Sequence, residues 1–160
     1  MKNSNIHVRK NTSRKQPTHD YLKYWRTIRY WIKAKYGLTT PDIEMMLFLY
    51  SEQMFTKTKF KRFEQIMSWD VNRFDRLLRD GWIEVFRRRR KKFKTLYGLT
   101  YKTQRVISSI YKKLSGEEIP MDVSNNPIFA KNVKFSDKVY KKMIIQMNEA
   151  IRQQRRLSLE

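Results

Sequence analysis

At Gly81 the apolar spacing of this chain changes from steps of three and four to steps of two. Trp82, Glu84 and Phe86 alternate with Ile83, Val85 and Arg87, and further on Phe93, Thr95 and Tyr97 alternate with Lys94, Leu96 and Gly98. Two alternating segments around a polar tip predict a β-hairpin over 82–99. Between them stand six consecutive basic residues, Arg87, Arg88, Arg89, Arg90, Lys91 and Lys92, with Lys94 close behind. The tip has neither Gly nor Asn, so its turn type stays open.

Every other ordered stretch reads as helix. Over 20–36, Tyr21, Tyr24, Trp25, Ile28, Trp31 and Ile32 form one wide apolar stripe, and Gly37 stops the helix. Thr40 then caps a second helix with Pro41 at its first position and Asp42 and Glu44 near its positive end. Met45 to Tyr50 are apolar almost all round, which predicts the buried centre of the fold. Two short helices follow. "TKTKFKRFEQIM" turns Phe60, Phe63 and Ile66 or Met67 inward. "SWDVNRFDRLLRDG", capped by Ser68, buries Val71, Phe74, Leu77 and Leu78 and ends at Asp80-Gly81. Beyond the hairpin, Thr100 caps a helix with Val106, Ile107, Ile110, Tyr111 and Leu114 inside. Pro120, Pro127 and Asn125-Asn126 make 117–135 an irregular linker. Ser136 caps a last helix to about 157, with the stripe Tyr140, Met143, Ile144, Met147 and Ile151. The expected organisation is a flexible basic arm at 1–19, a domain at 20–116, the linker, and a C-terminal helix at 136–160.

The charge balance bounds the partner. Lys and Arg number 36 against 15 Asp and Glu, a net charge of +21. Hydrophobic residues at 40% supply a core, so this is no disordered polycation. A surplus of this size repels itself and calls for a polyanion, with nucleic acid first and an anionic membrane surface second. No apolar run approaches the about 18 residues of a spanning helix, and no signal peptide is visible. The expected compartment is the cytoplasm of a bacterial or phage-infected cell, with a virion as the alternative. The chain has no Cys, and His7 and His19 both fall in the arm. The acids are scattered, and only four Gly are present, with no phosphate-binding loop. These features predict a protein that is not an enzyme, with no cofactor and no metal.

Two short helices followed by a basic hairpin follow the order of a winged helix–turn–helix, here flanked by long N- and C-terminal helices and mainly α in class. "LTTPDIEMMLFLY" resembles the opening core helix of MarR-type winged-helix regulators. "RFDRLLRDGWIEV" resembles the end of their recognition helix, and "LYGLT" their return strand and following cap. The similarity covers roughly 20–116. Where the family often carries an Asp-x-Arg pair in the wing, Lys91 and Phe93 stand here. Its small-residue turn is replaced by "FEQIMSWD", with bulky Met67 and Trp69.

In such a unit the second short helix, 68–80, enters the major groove of double-stranded DNA. Asn72, Arg73 and Arg76 are then the candidate base contacts, the alternative being surface ion pairs with Asp70 and Asp75. Lys57, Lys59, Lys61 and Arg62, together with Arg87, Arg88, Arg89, Arg90, Lys91, Lys92 and Lys94, are candidate backbone contacts. The resemblance further implies a homodimer built by the terminal helices, burying Trp25, Ile28, Trp31, Met143 and Met147 between subunits; the alternative is that the last helix folds back on its own subunit. Three roles stay open: a MarR-like transcriptional regulator, an architectural or structural DNA-binding protein such as a bacteriophage virion or replication component, and a module whose basic face meets an acidic protein. The sequence names no small-molecule effector.

Overall fold

The computed structural model describes residues 21–67 and 69–159. Helix α1 spans Trp25–Tyr36, α2 Thr40–Glu52, α3 Lys57–Glu64, α4 Val71–Arg79, α5 Tyr101–Leu114 and α6 Phe135–Leu157. Strands β1 (Met54–Phe55), β2 (Ile83–Arg87) and β3 (Leu96–Leu99) make an antiparallel sheet in the order β1-β3-β2. The fold is mainly helical with this one small sheet. The expected arm at 1–19 and the expected cap Ser68 lie outside the described residues.

Local chemistry sets the element ends. Gly37 closes α1 in the left-handed conformation, φ 64°, and its amide donates to Lys33 O. The cap of α2 is Thr39, one residue earlier than expected. Its hydroxyl accepts from the Asp42 amide while the Asp42 carboxylate accepts from the Thr39 amide, a reciprocal capping box. Asp70 caps α4 by accepting from the Arg73 amide at 2.7 Å. Thr100 caps α5 as expected. Ser136 does not cap α6, whose first turn begins one residue before it at Phe135; the Ser136 hydroxyl lies 3.1 Å from that of Tyr30.

Ile43, Met45, Met46 and Leu49 of α2 form the centre of the core. Around them pack Ile28, Trp31 and Ile32 from α1, Phe74 and Leu77 from α4, and Ile107 and Ile110 from α5. Trp69 is buried beside α4, stacked near Phe60 and inclined to Phe48. Of the bulky residues in the connection between α3 and α4, Trp69 is in the core and Met67 packs against it, whereas Ile66 is exposed.

The C-terminal third departs most from expectation. Segment 117–135 is irregular, but it is packed. Asn148 in α6 is buried and mimics a strand neighbour: its Oδ1 accepts from the Ile119 amide at 3.0 Å and its Nδ2 donates to Ile119 O at 2.9 Å. Asn126, also buried, donates to Pro120 O and accepts from the Ile128 amide. Trp31 Nε1 donates to Asn125 O at 3.0 Å. Helix α6 then folds onto α1 within the same chain. Tyr30 and Tyr140 stack at 3.7 Å, Tyr30 donates to Asp137 Oδ1 at 2.6 Å, and Arg26 Nε donates to the Tyr140 hydroxyl. Burial, followed by this bond to Asp137, raises the Tyr30 hydroxyl above its ordinary pKa.

This packing takes three of the five expected dimer residues out of reach of a second copy. Ile28, Trp31 and Met147 are buried inside one subunit, so they have no surface to offer a second copy. Trp25 is half-buried and packs against the same core, and Met143 is exposed. Replacing Asn148 by Ala strands both the amide and the carbonyl of Ile119 away from water. Each orphaned group costs about 1–3 kcal/mol, so Asn148→Ala is expected to lower unfolding free energy by about 2–6 kcal/mol in urea titrations.

Candidate nucleic-acid interface

Three features stand side by side around the sheet. The first is the hairpin. Its ladder pairs Ile83 with Leu99, Glu84 with Gly98 and Val85 with Tyr97, then slips, so that Arg87 pairs with Leu96 and Phe86 bulges out. Bulges bend a strand and add twist. Beyond the bulge the ladder stops: 88–95 form an irregular extension closed by a tight turn. There the Arg90 and Phe93 backbones exchange hydrogen bonds of 3.1 and 2.9 Å. Lys91 takes φ 49° at this turn, a conformation usually left to Gly or Asn. Arg87, Arg88, Arg89, Arg90, Lys91, Lys92 and Lys94 are all exposed. Among the described residues none of them makes an ion pair. Arg87 lies over the Phe93 ring, 5.2 Å from its centroid.

The second feature is a cleft of about 330 Å³ between the start of α3 and the hairpin, lined by Thr56, Lys57, Thr58, Arg89, Lys94, Thr95 and Tyr97. Thr56 caps α3, and Lys94 Nζ donates to Thr58 Oγ1 at 3.0 Å, joining the two walls. Three cations and the positive end of a helix thus face one space without a carboxylate on its lining. The other cations expected around α3 divide: Lys57 pairs with Asp75 at 2.5 Å, Lys59 pairs with Glu52, and Lys61 and Arg62 are exposed.

The third feature is the outer face of α4, a shallow concavity of about 450 Å³ lined by Asp70, Asn72, Arg73, Asp75, Arg76 and Arg79. Asn72 is exposed. Arg73 and Arg76 differ from expectation in their partner. Both reach back to the start of α2, where Arg73 Nη1 and Arg76 Nη2 each donate to Asp42 Oδ1 at 2.6 Å. Arg73 Nη1 also donates to Thr39 Oγ1 at 3.0 Å. Asp42 is 0% exposed. The anticipated alternative, pairing with Asp70 and Asp75, is not what happens: Asp70 caps the helix and Asp75 holds Lys57. Arg79, not among the expected base contacts, has 75% of its side chain exposed and pairs loosely with its neighbour Asp80 at 3.7 Å. Its place beyond Arg76 at the end of the same helix is the sequence signal that it shares this face.

Burial alone would raise the Asp42 pKa. The Thr39 amide, the Arg73 guanidinium, the Thr39 hydroxyl and the charge of Arg76 outweigh it, and the carboxyl is held below its ordinary value. Among the described residues no group of His, Asp and Glu is placed to hold a metal ion, and no helix is long and apolar enough to cross a membrane. No family model matches the chain, and no curated protein or solved structure does either.

A carboxyl with a depressed folded-state pKa contributes stability above its unfolded value, about 3.9, and loses it as pH falls through the folded value. The expected outcome is a steep acid limb below about pH 4 in thermal melts of the parent protein. That limb should be shallower in Asp42→Asn, which should also be less stable at pH 7 by about 2–4 kcal/mol.

Proposed function

We propose that this chain is a double-stranded-DNA-binding protein that holds the duplex chiefly by its phosphates. The reading takes the order helix, strand, helix, helix, strand, strand, with β3 between β1 and β2, as a winged helix–turn–helix. In it α4 is the recognition helix and the hairpin the wing. The carrying observation is the hairpin: seven exposed cations that make no ion pair among the described residues, beside a cleft at the start of α3 whose described lining has no carboxylate. A duplex supplies what this surface lacks, a regular row of negative charges whose condensed counterions are released on contact.

Of the two DNA-binding roles, α4 favours the architectural or structural one. Between Asp70 and Asp80 the segment carries three Arg and three Asp, so the two capping Asp cancel the surplus of the helix that would enter the groove. Two of those Arg are tied to Asp42. Base reading then falls to Asn72 and Arg79. A MarR-like regulator is the second reading, favoured by the exposure of Asn72 on α4, since Asn can make a two-point contact with adenine. An acidic protein would also meet the cations, but without a regular spacing of charge for the cleft and the hairpin to follow.

The test is competition. A labelled duplex selected from random sequence is bound at near-physiological salt and bulk DNA is added. Equal competition by every duplex supports the phosphate-dominated role, whereas retention against a 10³-fold excess supports the regulator. With about 6–10 phosphates neutralised, affinity should fall about 10³–10⁵-fold between 50 and 200 mM salt. Alanine at Arg88, Arg90 and Lys92 together should flatten the salt dependence by about 0.9 for each phosphate the variant leaves unneutralised. An unchanged slope would remove the hairpin from the interface.

A further inference from the structure

Where the end of α1 meets the start of α5, a second concavity of about 480 Å³ is lined by Lys35, Tyr36, Tyr101, Lys102, Arg105 and Ser109, among others, and by no carboxylate. It shares no residue with α4, the basic run or the α3 cleft. Its cations are laid over rings. Lys102 Nζ is 4.0 Å from the Trp82 centroid, Lys35 Nζ 5.5 Å from that of Tyr36, and the Arg105 guanidinium 5.9 Å from that of Tyr101. Behind the lining, Trp82 is buried and meets Tyr36 edge-on, so the Tyr36 wall is fixed by the core.

Tyr101 is the unusual member. It is the first residue of α5 and is 75% exposed, while the helix buries Thr103, Val106, Ile107 and Ile110 instead. A large ring left open to water beside three cations has no packing role.

We propose that this concavity is a second nucleic-acid site, one that takes a single strand: a base stacks on Tyr101 while Lys35, Lys102 and Arg105 hold the adjoining phosphates. Every base has a π-face, and stacking on an aromatic side chain within a positive groove is the general means of holding a strand without reading its sequence. A duplex keeps its base faces covered and leaves the ring without a partner. A simple polyanion uses the cations and ignores the ring. The site is independent of the duplex surface described above, and either can exist without the other.

The probe is a fluorescein-labelled thymidine oligomer of about 12 nucleotides, long enough for one such groove, read by anisotropy with the full chain. Tyr101→Ala is expected to weaken binding about 5- to 100-fold, and Tyr101→Phe, which keeps the ring, to stay within about twofold of the parent. The same weakening by Tyr101→Ala should appear in a background carrying Ala at Arg88, Arg90 and Lys92, and duplex affinity should not move. An abasic oligomer with the same number of phosphates should bind the parent more weakly than the thymidine oligomer and be indifferent to Tyr101→Ala. The proposal is overturned if Tyr101→Ala binds the thymidine oligomer as the parent does. It is equally overturned if the abasic oligomer binds the parent as tightly, or if Tyr101→Ala weakens duplex binding by the same factor. Failure of duplex binding in the hairpin variant alone bears on the other surface only.

Discussion

The arrangement of α4 against the body depends on one buried carboxylate. Asp42 accepts from the Thr39 amide at the start of α2 and receives both Arg73 and Arg76 from α4 on a single oxygen. Removing such a group from water costs several kcal/mol, and the attraction of its partners largely offsets that cost without turning it into a large net gain. What the triad supplies is geometry. Arg73 and Arg76 are three residues apart and thus lie on the same side of the helix. Both can reach Asp42 only when α4 presents that side to the N-terminus of α2. Thr39 reinforces the arrangement, because its hydroxyl accepts from Arg73 as well as from the Asp42 amide. A hydrophobic contact between two helices would tolerate a rotation that this contact does not.

That constraint decides which side chains α4 has left to present. With Arg73 and Arg76 turned toward Asp42, and Asp75 holding Lys57, the outward positions are Asn72 and Arg79. The hairpin is built the other way round. Among the described residues no carboxylate pairs with its cations, and the apolar residues toward its tip lie outside the core: Phe86, bulged from the ladder, and Phe93, beneath Arg87, are both well exposed, whereas Ile83 and Leu99 at its base are buried. Tyr97, from the ladder proper, packs edge-on against Phe74 of α4. The sheet is therefore anchored at its base, and the extension beyond the bulge carries charge and ring edges outward.

Much of this is legible in the sequence because it is local. The switch of period at Gly81 marks the hairpin, stripes at three- and four-residue steps mark five of the helices, and the Thr-Pro-Asp start with its apolar run marks α2. Boundaries slip where two adjacent residues can both cap, as with Thr39 and Thr40. Strand β1 is two residues long, too short to show any period, and exists only because β3 offers it an edge at Tyr97 and Gly98. The candidate site is legible in its charges and illegible in their pairing. Asp42 reads as a favourable residue at a helix start, which it is, but its main partners lie 31 and 34 positions away and no local pattern connects them. The strap at 117–135 is hidden for a related reason. Its Pro and Asn residues signal the absence of helix, whereas its order comes from Asn148 and Asn126, which replace a strand partner with side-chain amides. The stripes of α1 and α6 hold at Ile28, Trp31, Ile32, Ile144, Met147 and Ile151, which are buried, and fail at Tyr21 and Met143, which are exposed. Whether they face a neighbour in the same chain or in another is a choice that amphipathicity alone does not make.

The distribution of the surplus charge says how many polyanion segments the chain suits. Arg26, Arg29, Lys33 and Lys35 on α1, and Lys102, Arg105, Lys112 and Lys113 on α5, are eight cations on two helices that contain no acid. That is comparable to the seven of the basic hairpin on a different part of the molecule. Of the eight, Lys113 is buried and pairs with Glu117, and Lys35, Lys102 and Arg105 lie over rings. At physiological salt, charge is screened over about 8 Å. Phosphates at the hairpin, on the proposed reading, would therefore do little for charges on α1 and α5 unless the two lie within that reach. A chain that lay on one duplex by one face would gain nothing from a second cationic concavity, and its compact state would bear the added repulsion. Two separate cationic surfaces, one with regularly exposed charge and one with charge set among rings, fit two kinds of strand better than one.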